Sequence, residues 1–249
     1  MGTLALTDHD TMDGVGEAIA AGERLGVRVI PGVELSVQAP SGSMHLLGYF
    51  RDPAPEPLCA RLGALRAARE DRARRMVARL AAIGAPIDYE DVRARASGAI
   101  GRPHVADALV AAGHARDRQD AFDRFLADGG PGYVPHKGLG PREAIAVIAS
   151  SGGASALAHP ASLRMPEHAL GDYVQRLAAW GLRGIEVHRP DHTPERRARL
   201  ARLAARHHLV ATGGSDFHHL EDALRPGDTG RPPLPYDAID HLLFDTVEP

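Results

Sequence analysis

Cysteine is nearly absent. Cys59 is the single one in 249 residues, which excludes a disulfide framework and a cysteine-built zinc site. Lysine is as scarce, with Lys137 alone among 29 basic residues; this arginine bias, beside abundant alanine, reads as nucleotide composition and carries no function. No apolar run reaches the roughly 20 residues that cross a bilayer, and no charged-then-apolar leader opens the chain. A cytoplasmic protein without membrane contact or an obligate protein partner is therefore expected. A net charge of −3 argues against a nucleic-acid coat protein. At about 150 residues per domain, the length allows one large domain or two small ones, with enough chain for a sizeable core.

Aromatics are few as well, and histidine is what stands in excess. Fourteen histidines outnumber five Phe, five Tyr and one Trp together, more than packing ordinarily needs, so metal ligation or proton transfer becomes the question. Short apolar runs at 3–7, 27–37 (with a break near Pro31-Gly32), 44–50, 154–158, 184–187 and 209–212 predict strands. Helical patterns separate them at 15–25, at 141–150 with Pro141 in the first helical position, at 170–180, and from Pro194 to about 206 behind a Thr193 cap. Strand and helix in series predict a parallel α/β sheet or barrel. Residues 53–135 break the rhythm. Leu62, Leu65, Met76, Leu80 and Ile83 fit one helical stripe, and further helices are expected at 89–96, 102–112 and 119–127. The expected division is thus 1–52 and 136–249 for the α/β part and 53–135 for a helical insertion.

In such barrels the reactive groups sit where strands end. The first run leads into Asp8-His9-Asp10, the second carries Glu34, the fourth ends at His159, the fifth at His188, and the sixth leads to Asp216 and His218. His45 opens the third run, and a turn at 39–43 would fold that strand back beside Glu34. Asp216 and His218, two apart on extended chain, face the same way. Any one of these histidines alone is ordinarily a satisfied polar residue, and Asp8-His9-Asp10 alone reads equally as loop and cap chemistry. Six such groups converging on one rim suit divalent Zn, Mn or Fe, in one site or several bridged by a carboxylate. His207 and His208 belong to a helix end, where positive charge is favoured; His219 and His136-Lys137 read as ordinary polar positions. Of the seven arginines between Arg61 and Leu80, most would form a solvated face.

Thr7-Asp8-His9-Asp10-Thr11, Pro31-Gly32-Val33-Glu34, Met44-His45-Leu46-Leu47-Gly48-Tyr49, Ala158-His159-Pro160 and Gly214-Ser215-Asp216-Phe217-His218 together resemble the PHP (polymerase and histidinol phosphatase) family, in family order. The resemblance implies a distorted (β/α)7 barrel with up to three divalent metal ions, manganese first and zinc, iron or magnesium as alternatives. They would hydrolyse a phosphate ester through a hydroxide held on the ions. It makes Glu34 the bridging carboxylate, completes one site with His45 and His159, and gives Asp216 to the second. His9 and His218 go to the third. By analogy with other metal-dependent hydrolases, Asp216 would also carry the proton of the attacking water. The insertion resembles the branch acting on nucleoside 3′,5′-bisphosphates and on the 5′ end of short RNA. Within it Arg102 and His104, opening a predicted helix, are the candidate substrate-phosphate contacts. The family's opening His-x-His strand and the Asp or His that follows are not in this sequence, so a barrel lacking its first strand-helix unit is expected, from a mis-called start or a truncated chain. The other readings are a histidinol-phosphate-like phosphatase and an inactive metal- or nucleotide-binding remnant.

Overall fold

The computed structural model describes residues 2–96, 98–135, 138–218, 223–231, 234 and 237–244; His136, Lys137 and His219 lie outside them. The chain divides into two compact units, Met1–Cys59 with Leu139–Pro249, and Ala60–Gly138.

The first unit is built on one six-stranded sheet whose strands lie side by side in chain order: β1 (Thr3–Leu6), β2 (Arg28–Val37), β3 (Met44–Tyr49), β4 (Ala154–Leu157), β5 (Gly184–His188) and β6 (Val210–Gly213). It curls into an open half-barrel, the α/β architecture of barrel type expected from the sequence. Parallel pairing joins β1 to β2, β4 to β5 and β5 to β6, while β3 runs antiparallel to both neighbours. This reversal follows from the short 38–43 turn, since a tight hairpin can join only antiparallel strands. It sets Ser36 opposite His45 and Glu34 opposite Leu47.

The expected break at Pro31-Gly32 does not occur. β2 runs through it and changes partner there, with Arg28 to Pro31 on β1 and Gly32 to Val37 on β3. Proline has no N–H for the ladder, so it fits at this change-over. A Cβ on Gly32 would lie 2.8 Å from the Leu6 carbonyl oxygen and 3.0 Å from that of Gly48, which is why glycine stands between the two flanking strands.

Helices α1 (Val15–Leu25), α6 (Pro141–Ser150), α7 (Glu167–Ala179) and α8 (Pro194–Arg206) alternate with the strands, and α9 (Ala238–Phe244) follows β6. Thr193 caps α8 by accepting the Arg196 N–H at 3.2 Å, as its sequence indicated. α7 starts three residues before the apolar pattern does, because exposed Glu167 and His168 belong to its first turn. Apolar side chains of β2 to β4, with Ala158 beyond β4 and Leu242 of α9, form a buried cluster: Ile30, Leu47, Tyr49, Ala156 and their neighbours.

The second unit is helical. It holds all but the first two residues of α2 (Leu58–Ala82), then α3 (Tyr89–Ala94), α4 (Arg102–Ala111) and α5 (Arg118–Ala121). Its own core includes Met76, Leu80, Val92, Val105, Leu109 and Leu126. Ile83, assigned above to the α2 stripe, falls past the helix end and is 46% exposed. The single helix expected at 119–127 is instead α5 continued by a π-helical turn, Phe122–Leu126. Among the described residues no helix is long and apolar enough to cross a membrane.

Candidate metal centre

Glu34 is the hub of the first unit's rim. It lies inside β2 with 4% of its surface exposed, and parallel pairing brings His9, just past β1, alongside it. The β2–β3 hairpin delivers His45 from the other side, with Nδ1 2.6 Å from Glu34 Oε1. His159, directly after β4, brings Nε2 to 3.0 Å from the same oxygen and 3.1 Å from His45 Nδ1. His9 Nδ1 stands 3.6 Å from Glu34 Oε2. Burial raises the Glu34 carboxyl pKa, but bonds with His159 and His45 outweigh it and hold the group well below its usual range. Burial also lowers His159, an effect its Glu34 bond reverses, so its pKa ends above the ordinary value. His9 ends below its own, because burial prevails over Glu34.

Past β6, Asp216 and His218 reach the same place. Ligand atoms of His9, Glu34 and His45 lie within 4.8 Å of one another, as do those of Glu34, Asp216 and His218. Glu34 thus belongs to two groups that can each hold a cation. Glu34, His9, His159, Asp216 and His218 are among the walls of a cavity of about 770 Å³.

The outer contacts present lone pairs. The Ser162 hydroxyl donates to the Ser43 or the His159 carbonyl, at 2.9 and 3.0 Å, and lies 3.0 Å from His159 Nδ1. Its oxygen can therefore accept from Nδ1–H; Nε2 donates to Glu34 while the ring is protonated and, once it loses that proton, is the atom able to ligate a cation. His218 Nδ1–H donates to the Asp216 carbonyl at 2.8 Å, leaving its lone pair on Nε2. Such partners orient metal-binding imidazoles. His9 Nδ1, buried without a hydrogen-bond partner, is the orphan that a bound cation would explain. Carboxylate and imidazole donors around a buried anion fit divalent metal ions.

Asp8-His9-Asp10 divides between its two readings. His9 faces Glu34, whereas Asp10, 1% exposed, accepts the Ser36 N–H at 2.9 Å. His188 does not appear among the cavity walls. Sequence reasoning passed over two residues beside the ligands, Glu186, which is itself a wall of the cavity, and Arg189, which is not. Glu186 of β5 is 4% exposed and Arg189 is 7% exposed. A glutamate in the middle of an apolar strand was the available signal for the first.

Arg102 and His104 belong to the helical unit. Arg102 Nη1 donates to Asp128 at 2.7 Å and to the Leu126 carbonyl at 3.2 Å. His104 Nδ1 accepts the Gly101 N–H at 3.0 Å, which puts its proton on Nε2. Arg72, counted above with a solvated face, is 8% exposed and donates to the Val134 carbonyl at 2.7 Å. Burial first, then Arg102 and Arg69 nearby, lower its pKa to about 10. These arginines concentrate positive charge in that unit.

A half-barrel with histidines and carboxylates on its rim suits a metal-dependent hydrolase, and comparison makes the class phosphoesterase. No family model matches the chain. It is 36% identical over 230 residues to a 3′,5′-nucleoside bisphosphate phosphatase of Chromobacterium violaceum, covering 92% of this chain and 79% of that one. It is also 36% identical over 221 residues to the 5′-3′ exoribonuclease Rnm of Escherichia coli, covering 88% and 75%. A solved structure from Bifidobacterium adolescentis, named as a metal-dependent phosphoesterase, matches with a TM-score of 0.80 and 35% identity, over 96% of this chain and 84% of the other. The chain belongs to the PHP family of metal-dependent phosphoesterases.

Proposed function

We propose that this chain hydrolyses a phosphate monoester of a nucleotide, either a nucleoside 3′,5′-bisphosphate or the 5′ end of a short RNA, with manganese as its preferred ion. The observation carrying the reading is Glu34, a buried carboxylate shared by two candidate ligand groups on the wall of one cavity. The names of the relatives support the substrate class.

Bound divalent ions would neutralise the phosphate oxygens, activate a water and stabilise the leaving oxygen. Glu34, His45 and His159 would hold one ion. Asp216 would complete a second site through Glu34, with His9 and His218 serving a third. Asp216, a third exposed beside the cavity, takes the proton of the attacking water. In the helical unit, Arg102 and His104 bind substrate phosphate, Arg102 through its planar fork and His104 through Nε2–H; the neighbouring Arg69 and Arg72 strengthen the local field. Arg102 then exchanges its Asp128 partner for phosphate.

The test is phosphate release from a nucleoside 3′,5′-bisphosphate with manganese supplied. Turnover is expected, with Glu34→Ala and Asp216→Ala both at the background rate and still folded by circular dichroism. Near-normal rates in both variants overturn the metal-site reading. Arg102→Met should raise KM at least tenfold with kcat kept, the mark of lost uniform binding; an unchanged KM removes Arg102 from the substrate contacts.

A further inference from the structure

Two of the candidate ligands, His159 and Asp216, have backbone φ of 24° and 56°. Outside glycine this left-handed region is costly, and it persists where surrounding structure imposes it. One pair of buried residues reaches both. Arg189, in the loop after β5, donates from Nη1 to Glu186 Oε2 at 3.2 Å and from Nε to Asp191 at 2.9 Å. Its Nη2 lies 3.5 Å from Asp216 Oδ2. The same Glu186 oxygen accepts the backbone N–H of His159 at 2.6 Å. Arg197 of α8 in turn donates to the Arg189 carbonyl, fixing the loop from outside.

We propose that Glu186 and Arg189 are positioning residues that preset His159 and Asp216 for metal. Glu186 acts through the His159 main chain, and Arg189 through the Asp216 carboxylate and through Glu186. The inference rests on reading the Glu34-centred cluster as a metal site. Arginine suits the task because its fixed fork of donors serves Glu186, Asp191 and Asp216 from one buried position, where a lysine ammonium could satisfy fewer at once. Arg189 is not among the cavity walls, and Glu186, which is one of them, spends its Oε2 on the His159 N–H and on Arg189. Their effect is on the order of the ligands, which for outer contacts of a metal site is about 10–100-fold in affinity or activity.

The experiment is calorimetric titration of the metal-stripped whole chain with manganese chloride, for wild type, Arg189→Met, Arg189→Lys and Glu186→Gln, with melting temperatures alongside. Arg189→Met should weaken manganese binding at least tenfold, and Arg189→Lys should recover part of that loss. In phosphate release kcat should fall while KM stays within twofold. A lowered melting temperature with wild-type manganese affinity marks a merely structural role and overturns the proposal. If Arg189→Met does not fold, Glu186→Gln, which keeps the volume, decides: at least tenfold weaker binding supports the assignment and unchanged binding ends it. A wild-type chain that takes up no manganese overturns both this inference and the functional reading. One that binds manganese but leaves nucleotides intact overturns only the latter.

Discussion

Asp120, in the helical unit, gathers three donors on one carboxylate: the Arg116 N–H at 3.0 Å, the Arg116 guanidinium at 3.2 Å and Arg124 at 3.1 Å. The Arg116 backbone bond, with help from both side chains, holds its pKa down at about 2, against an ordinary 3.8. A depressed carboxyl contributes stability that is complete above the unfolded value and is lost as pH falls through the folded one. Asp120→Asn should therefore melt below wild type at pH 6, with the gap closing between pH 3.8 and about 2; a gap that persists at pH 2 contradicts this account. At the same scale, most candidate ligands were legible because strand ends are legible: His9, His45, His159, Asp216 and His218 fall at or soon after them, while Glu34, inside β2, was legible as a carboxylate within an apolar run. Arg189 was not, since the carboxylates of Glu186, Asp191 and Asp216 meet around it only after folding, and Glu186 left only the signal of a glutamate inside an apolar strand. Nor did Arg102's bond to Asp128, 26 positions away, leave any local signal.

Among the elements, α1 offers a matched comparison. A Cβ on Gly22 would come within 2.5 Å of the Val27 carbonyl oxygen, whereas one on Gly16 meets nothing within 4 Å. Gly22 lets the helix lie against the start of β2, while Gly16 only costs helix propensity. Gly22→Ala should lower the melting temperature through overpacking of about 1–3 kcal/mol, and Gly16→Ala should raise it through up to about 1 kcal/mol. Thermal melts of both variants check the opposite signs, and two shifts in the same direction refute the packing argument. Helix limits set by caps and prolines, as in α8, could be read from sequence because those signals are local. The course of β2 through Pro31-Gly32 could not, because it depends on which strand lies on each side. The π-helical turn after α5 escaped for a similar reason: apolar spacing does not distinguish its winding from an α-helix.

The whole molecule consists of two units, each with a buried apolar cluster of its own. The helical one draws Ala73, Met76, Leu80, Val105, Leu109, Leu126 and Val134 into a single core, enough for a domain of this size to stand alone. A fragment spanning residues 60–138 should show helical circular dichroism and one cooperative thermal transition. A featureless, non-cooperative melt would mean that its core is insufficient. The left-handed backbone at His159 and Asp216 bears on the history and engineering of the chain. If His159 and Asp216 hold metal as proposed, stability and chemistry make opposite demands at those two positions, since glycine suits the conformation better than either side chain. A lineage released from selection for catalysis would drift there early, and a library screened for heat resistance alone would discard the same two side chains. Their retention would then separate a working descendant from a silent one before any assay is run.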